Sequence, residues 1–140
     1  MGARAPARTL TMIKEIYEQL LQYYAQALRC LSIKGYPTWQ RQTAQLPCLA
    51  LELFRCELAR SRIGQRFTVG QIIMRGWIFA RNEAELCELV EEFINLHKAG
   101  MLDLTPQPRE CNLLQLERLL APAQATEYEQ HVFAFLLAIT

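Results

Sequence analysis

The chain has 140 residues, 51% of them apolar and 21% charged, with fifteen Lys and Arg against fourteen Asp and Glu. That balance belongs to a folded domain and argues against disorder. The net charge of +1 predicts, taken over the whole chain, neither a nucleic-acid nor a membrane partner.

At this length one domain buries about two-thirds of the surface its unfolded chain exposes, so a core needs no metal or disulfide. The five cysteines, Cys30, Cys48, Cys56, Cys87 and Cys111, form no CxxC and have no nearby histidine pair. They read as reduced thiols acting as small apolar side chains, which suits the cytoplasm. The head, MGARAPAR, is basic and carries Pro6. Lys14, Glu15 and Glu18 then interrupt any apolar stretch, so a secretory signal is not expected. Residues 1–11 are expected as a flexible tail and residues 12–140 as a single helical domain. No apolar run approaches the roughly 20 residues of a membrane span.

In chain order, the first helix is predicted to start near Thr9 or Thr11 and to end before Gly35-Tyr36-Pro37. Ile13, Ile16, Tyr17, Leu20, Leu21, Tyr24, Ala27, Leu28 and Leu31 fall on one side of it. A short helical turn is expected over Thr38–Gln45. Pro47 suits the first turn of a second helix, running to about Arg62 and stopped by Gly64. Its apolar residues lie on two faces, Leu51, Phe54 and Leu58 against Leu49, Leu53 and Cys56. Thr68 can cap a third helix, Val69 to Ala80, which is apolar nearly all round. A buried strand is the rival reading around Trp77 to Phe79. The fourth helix, Asn82 to Gly100, carries the clearest signals. Asn82 and Glu85 form a capping pair, Leu86, Leu89, Val90, Phe93 and Ile94 form one face, and Gly100 takes the terminating position. Met101 to Thr105 is expected as a short extended segment, stopped by Pro106 and Pro108. Asn112 opens a short helix to Leu120, and Thr126 with Glu129 opens a last one to the C-terminus. The sum is an all-α, or nearly all-α, compact bundle of about six helices.

No catalytic, metal-binding or cofactor-binding motif stands in the chain. His97 and His131 each stand alone, and Gly64 and Gly70 lack a phosphate-loop context. Charge is distributed unevenly. Six arginines, Arg55, Arg60, Arg62, Arg66, Arg75 and Arg81, share their stretch with one acid, Glu57, while seven acids lie between Glu83 and Glu110 against Lys98 and Arg109. Two surfaces with different partners would produce such a pattern, and so would ordinary solvated faces.

The stretch RFTVGQIIMRGWIFARNEAELCELVEEFINLHKAGMLDL, residues 66–104, resembles the winged helix-turn-helix superfamily. It pairs a Thr-capped apolar helix with a longer helix ending in Lys-Ala-Gly and a short strand. The resemblance implies a winged-helix-like centre and a DNA-binding regulator. The expected recognition helix, however, presents Glu85, Glu88, Glu91 and Glu92 against Lys98, which repels phosphates.

The function expected first is therefore a non-catalytic interaction or assembly module that self-associates. Trp77 and Phe79 are its expected apolar anchors, and Glu88, Glu91 and Glu92 its charged recognition face. The alternative is a DNA-binding regulator contacting phosphates through Arg55, Arg60, Arg62, Arg66, Arg75 and Arg81. An enzyme comes third. No cofactor is expected.

Overall fold

The computed structural model describes residues 4–35, 46–60, 67–119 and 131–140. They form a six-stranded sheet with two helices, not a six-helix bundle. In chain order the elements are α1 (Arg4–Ala27), β1 (Leu31–Lys34), β2 (Cys48–Arg60), β3 (Phe67–Phe79), α2 (Glu83–Leu96), β4 (Met101–Leu102), β5 (Arg109–Arg118) and β6 (Val132–Ile139). The sheet order is β1-β2-β3-β6-β5-β4. β1 runs parallel to β2, and every other pairing is antiparallel.

Two expected helices are present. α1 begins at Arg4, inside the stretch expected as a tail, and ends before the Gly35 turn. It buries Ile16, Leu20, Leu21 and Tyr24, the apolar stripe its periodicity predicts, and Leu28 just past its end continues the stripe. α2 is capped by Asn82, whose side chain accepts from the Glu85 amide at 2.8 Å. The Glu85 carboxylate reaches back to the Arg81 amide at 3.0 Å, one residue earlier than the reciprocal bond of the usual capping box. After Leu96 a turn leads to Gly100 at φ +70°, the left-handed conformation glycine adopts without strain.

Four expected helices are corrected. The ones predicted over 47–62 and 69–80 are β2 and β3, and those predicted from Asn112 and from Thr126 are β5 and β6. The described part of residues 66–104 is therefore strand, helix and a two-residue strand, and the helix–helix unit of a winged helix is not formed. The physical cause lies in burial. β3 and β6 are flanked on both edges and bury side chains on both faces, so they read as continuous apolar runs in which a period of 2 cannot be told from 3.6. The short segment expected at 101–105 is formed as β4 over its first two residues. The turn expected at Thr38–Gln45 and the capping pair Thr126 and Glu129 lie outside the described residues. Among the described residues no helix is long and apolar enough to cross a membrane.

One face of the sheet carries Leu49, Leu51, Ile72, Met74, Ile78, Phe135, Leu137 and Ile139, and both helices pack there. The sheet is held to α1 through Leu51, whose carbonyl accepts from the Gly35 amide at 2.7 Å and from the Tyr17 hydroxyl. At the centre, Gly76 of β3 faces Phe135 of β6 in register. The Phe135 ring lies directly over the glycine, where any Cβ would overlap it. Phe135 meets Phe93 of α2 at 4.5 Å between ring centres, and Phe93 meets Tyr24 of α1 at 5.5 Å.

Gly76→Ala is expected to lower stability by ~1–3 kcal/mol, the usual penalty of overpacking a filled core. Urea unfolding would measure it, and Phe135→Leu in the same background is expected to restore part of the loss. An unchanged midpoint for Gly76→Ala would show that the ring does not sit there.

Candidate interaction surface

The second face of the sheet has its own apolar cluster. Cys48, Ala50, Trp77, Phe79 and Val132 are buried there, with Ile33, Leu46 and Ala134 packed against them. The register explains the grouping, since Cys48 pairs with Phe79, Ala50 with Trp77, and Phe79 with Val132. Trp77 keeps 7% of its surface exposed and Phe79 2%, so both expected anchors sit within a core.

Further along the same face the side chains become polar and exposed. Arg75 donates to the Glu52 carboxylate through Nε at 2.7 Å. Its guanidinium stacks over Phe54 at 5.0 Å and Trp77 at 5.4 Å from the ring centres. Arg55 pairs with Glu57 at 3.2 Å and lies 5.9 Å from the Phe54 ring centre. A shallow cavity of about 230 Å³ opens here between Phe54, Arg75, Gln115, Glu117, Ala134 and Leu136.

Beyond this point the hairpin leaves the sheet. β6 pairs with β3 only from Ile72 to Phe79, but β2 and β3 stay paired out to Arg60 and Phe67. On the other side, β1 covers β2 only from Cys48 to Leu51. From Glu52 onward β2 is therefore an open edge among the described residues. Leu53 and Phe54 are 41% and 45% exposed along this edge, opposite the part of β3 that β6 still flanks, and Leu58 is 59% exposed on the arm beyond it. Register shifts between Leu53 and Arg55 and between Glu57 and Leu58 bend it. The sequence hid this feature because Leu53, Phe54 and Leu58 look like core residues of an amphipathic element. Only the length mismatch between β2–β3 and their neighbours exposes them.

The acidic residues lie at the opposite end of the molecule. Glu88, Glu91 and Glu92 are exposed on α2. Glu88 and Glu92 join Glu85 and Asn95 on one wall of a groove of about 590 Å³. Ala27, Leu28 and Arg29 at the end of α1, with Pro47 and Arg81, form the other side, and Leu89 and Leu96 give it an apolar floor. Arg81 is already paired with Glu85 at 3.0 Å. Cys30 lies nearby, its thiol pushed up to about 11 by burial, with the Glu92 carboxylate adding to the rise.

The six arginines do not meet in one described patch. Arg55 and Arg75 flank Phe54, while Arg81 lies past the far end of β3, and each of these three contacts a glutamate. Arg60 belongs to β2, but its side chain, like Arg62 and Arg66, lies outside what is described.

Two polar clusters remain. Glu83 at the start of α2 accepts from Arg118 of β5 and lies 3.4 Å from His131. The Arg118 hydrogen bond holds the Glu83 carboxyl below its usual value. His97, just past α2, is 8% exposed and shares a hydrogen bond of 2.7 Å between its Nε2 and the Tyr24 hydroxyl. Burial lowers His97 to about 4, against a rise contributed by the Cys111 main chain. Cys111 itself is pushed up to about 12 by burial. Among the described residues no three His, Cys, Asp or Glu side chains group in a way that could hold a metal. All five cysteines are free. No family model matches the chain, and no curated protein matches it significantly.

His97 sets a pH dependence. With its pKa moved from 6.5 down to about 4 on folding, the unfolded chain binds the extra proton between those values. Its contribution is complete above pH 6.5 and is lost as pH falls toward 4. A shift of this size is expected to remove about 2 kcal/mol between pH 7.5 and pH 5. Urea titrations at the two pH values would measure it, and His97→Gln should flatten the difference. A wild-type midpoint that does not move would contradict a buried neutral imidazole.

Proposed function

We propose that the protein is a non-catalytic assembly module that self-associates. The observation that carries this reading is the edge of β2 beyond β1, which presents Leu53 and Phe54 to solvent and, where the β2–β3 arm overruns β6, Leu58. A two-stranded ribbon in water is marginally stable by itself. Its edge, open among the described residues, offers amides and carbonyls to another strand, and exposed apolar side chains beside such an edge favour a partner that covers both. The bulge at Phe54 in β2 restricts edge pairing to a partner shaped for it. The exposed carboxylates of α2 supply a second, charged surface. The five free thiols, two of them buried, fit a cytoplasmic setting.

The alternative, a DNA-binding regulator, has less support. Arg55, Arg75 and Arg81 each contact a glutamate, and α2 presents acids. Such a regulator would bind duplex DNA with an affinity falling steeply in salt.

Light scattering on the eluting protein is expected to show a species larger than the monomer. Leu58→Asp is expected to shift it to monomer with an unchanged thermal midpoint, because Leu58 is 59% exposed and contributes little to the core. A wild-type protein that stays monomeric at its highest reachable concentration would overturn the reading. Salt-sensitive duplex binding by such a monomer would favour the alternative.

A further inference from the structure

We infer that two copies of this chain join edge to edge along β2, antiparallel about a twofold axis at Cys56. The inference rests on the self-assembly reading above and names the surface that meets its own copy and the register in which it pairs.

The surface is the stretch of β2 from Leu53 to Leu58. β1 covers β2 only as far as Leu51, and among the described residues no other strand takes its place. The side chains of this stretch divide between the two faces of the sheet. Leu53 pairs with Met74 and Cys56 with Ile72, and those partners belong to the core beneath the helices. Alternation along β2 places Leu58 on that side as well. Arg55 and Glu57 pair with Ile73 and Gln71 on the other face, where their side chains meet at 3.2 Å. Phe54, the extra residue of the bulge, lies beside Arg55.

This stretch is complementary to itself in one register. About an axis at Cys56, Arg55 of each copy stands opposite Glu57 of the other, and Cys56 stands opposite Cys56. Side chains directly opposite on antiparallel strands share a face, with their Cα atoms about 4.5–5.5 Å apart. The Arg55–Glu57 pair within each chain is kept, and two such pairs close into a ring of alternating charge. Axes at Arg55 or at Glu57 would set like charges opposite each other, which is destabilising. Past the axis, the bulge takes Phe54 out of the ladder and brings Leu53 level with Leu58 of the second copy. Two exposed leucines on the helix side then cover each other. The paired stretch stops short of Leu51, so it does not compete with β1.

Such a contact uses the same surface on both copies and closes at a dimer. The axis runs perpendicular to the sheet, so the two sheets join through β2 with the helices of both copies on one side.

Light scattering is expected to give twice the monomer mass for the wild type. Arg55→Glu sets two carboxylates opposite each other, and Glu57→Arg sets two guanidinium groups opposite each other. Each variant is expected to raise the dissociation constant of the dimer at least about tenfold. Mixed in equal amounts, the two variants present only opposite charges across the axis, and they are expected to pair with each other as tightly as the wild type. The register has a separate readout. In a chain carrying Cys30→Ser and Cys87→Ser, oxidation with diamide is expected to join two copies through Cys56, because the expected Cα separation lies within the range a disulfide spans. Adding Cys56→Ser is expected to abolish the linked dimer. Leu114, exposed on β5 towards the opposite edge of the sheet, supplies the control, and Leu114→Asp is expected to leave assembly intact. Four results would overturn the inference while leaving self-assembly standing: either charge variant assembling like the wild type, a mixture that does not pair, no disulfide through Cys56, or loss of assembly in Leu114→Asp. A monomeric wild type would instead remove the self-assembly reading itself. Thermal midpoints establish that the variants fold, and if a charge variant does not, the Cys56 disulfide still decides the register.

Discussion

The contact between Gly76 and Phe135 is the one on which the rest of the architecture turns. A missing side chain in the central strand leaves a hollow, and the facing aromatic ring fills it. Lowered onto the sheet, Phe135 brings its ring within 4.5 Å of Phe93, and Phe93 in turn stands beside His97 and Tyr24. A single aromatic column thus ties the sheet to α2 and α1 together. The polar bond inside it joins the Tyr24 hydroxyl to His97 Nε2, which gives each of these two buried atoms a partner.

Packing both helices on one face has a consequence for the other. The second face is left to a smaller cluster around Trp77 and Phe79 and then to a mixed surface of arginine, glutamate and Phe54. Arg75 spans the two regimes, since it stacks on Trp77 at the cluster margin and on exposed Phe54. Such stacking lets an arginine lie flat over apolar rings while its charge stays solvated and paired. The sheet is therefore not a symmetric slab. One end is thick and finished by helices, and the other thins to a two-stranded arm.

That asymmetry also distributes charge. The acids of α2 cluster where the sheet is covered by helices, and Arg55 and Arg75 lie on the uncovered part of β2 and β3 around Phe54.

The chain's own residues determined the start and the buried face of α2, since Asn82 and the stripe from Leu86 to Phe93 need only local bonds and one buried side, although the helix ends at Leu96 with His97 as its cap rather than at Gly100. They determined α1 for the same reason, and the acidic character of the outward face of α2. Only the tertiary structure decided the remaining elements. In β6 and the central part of β3 most side chains are apolar because both faces and two neighbouring strands bury them, and in β2 apolar residues fall on both faces, so no clean periodicity survives to tell strand from helix. It also decided which apolar residues face solvent. Trp77 and Leu58 are alike in the one-dimensional pattern, and their different exposure comes from where β6 and β1 stop pairing, a matter of register between partners 17 residues apart in β1 and β2 and 53 to 67 apart in β3 and β6.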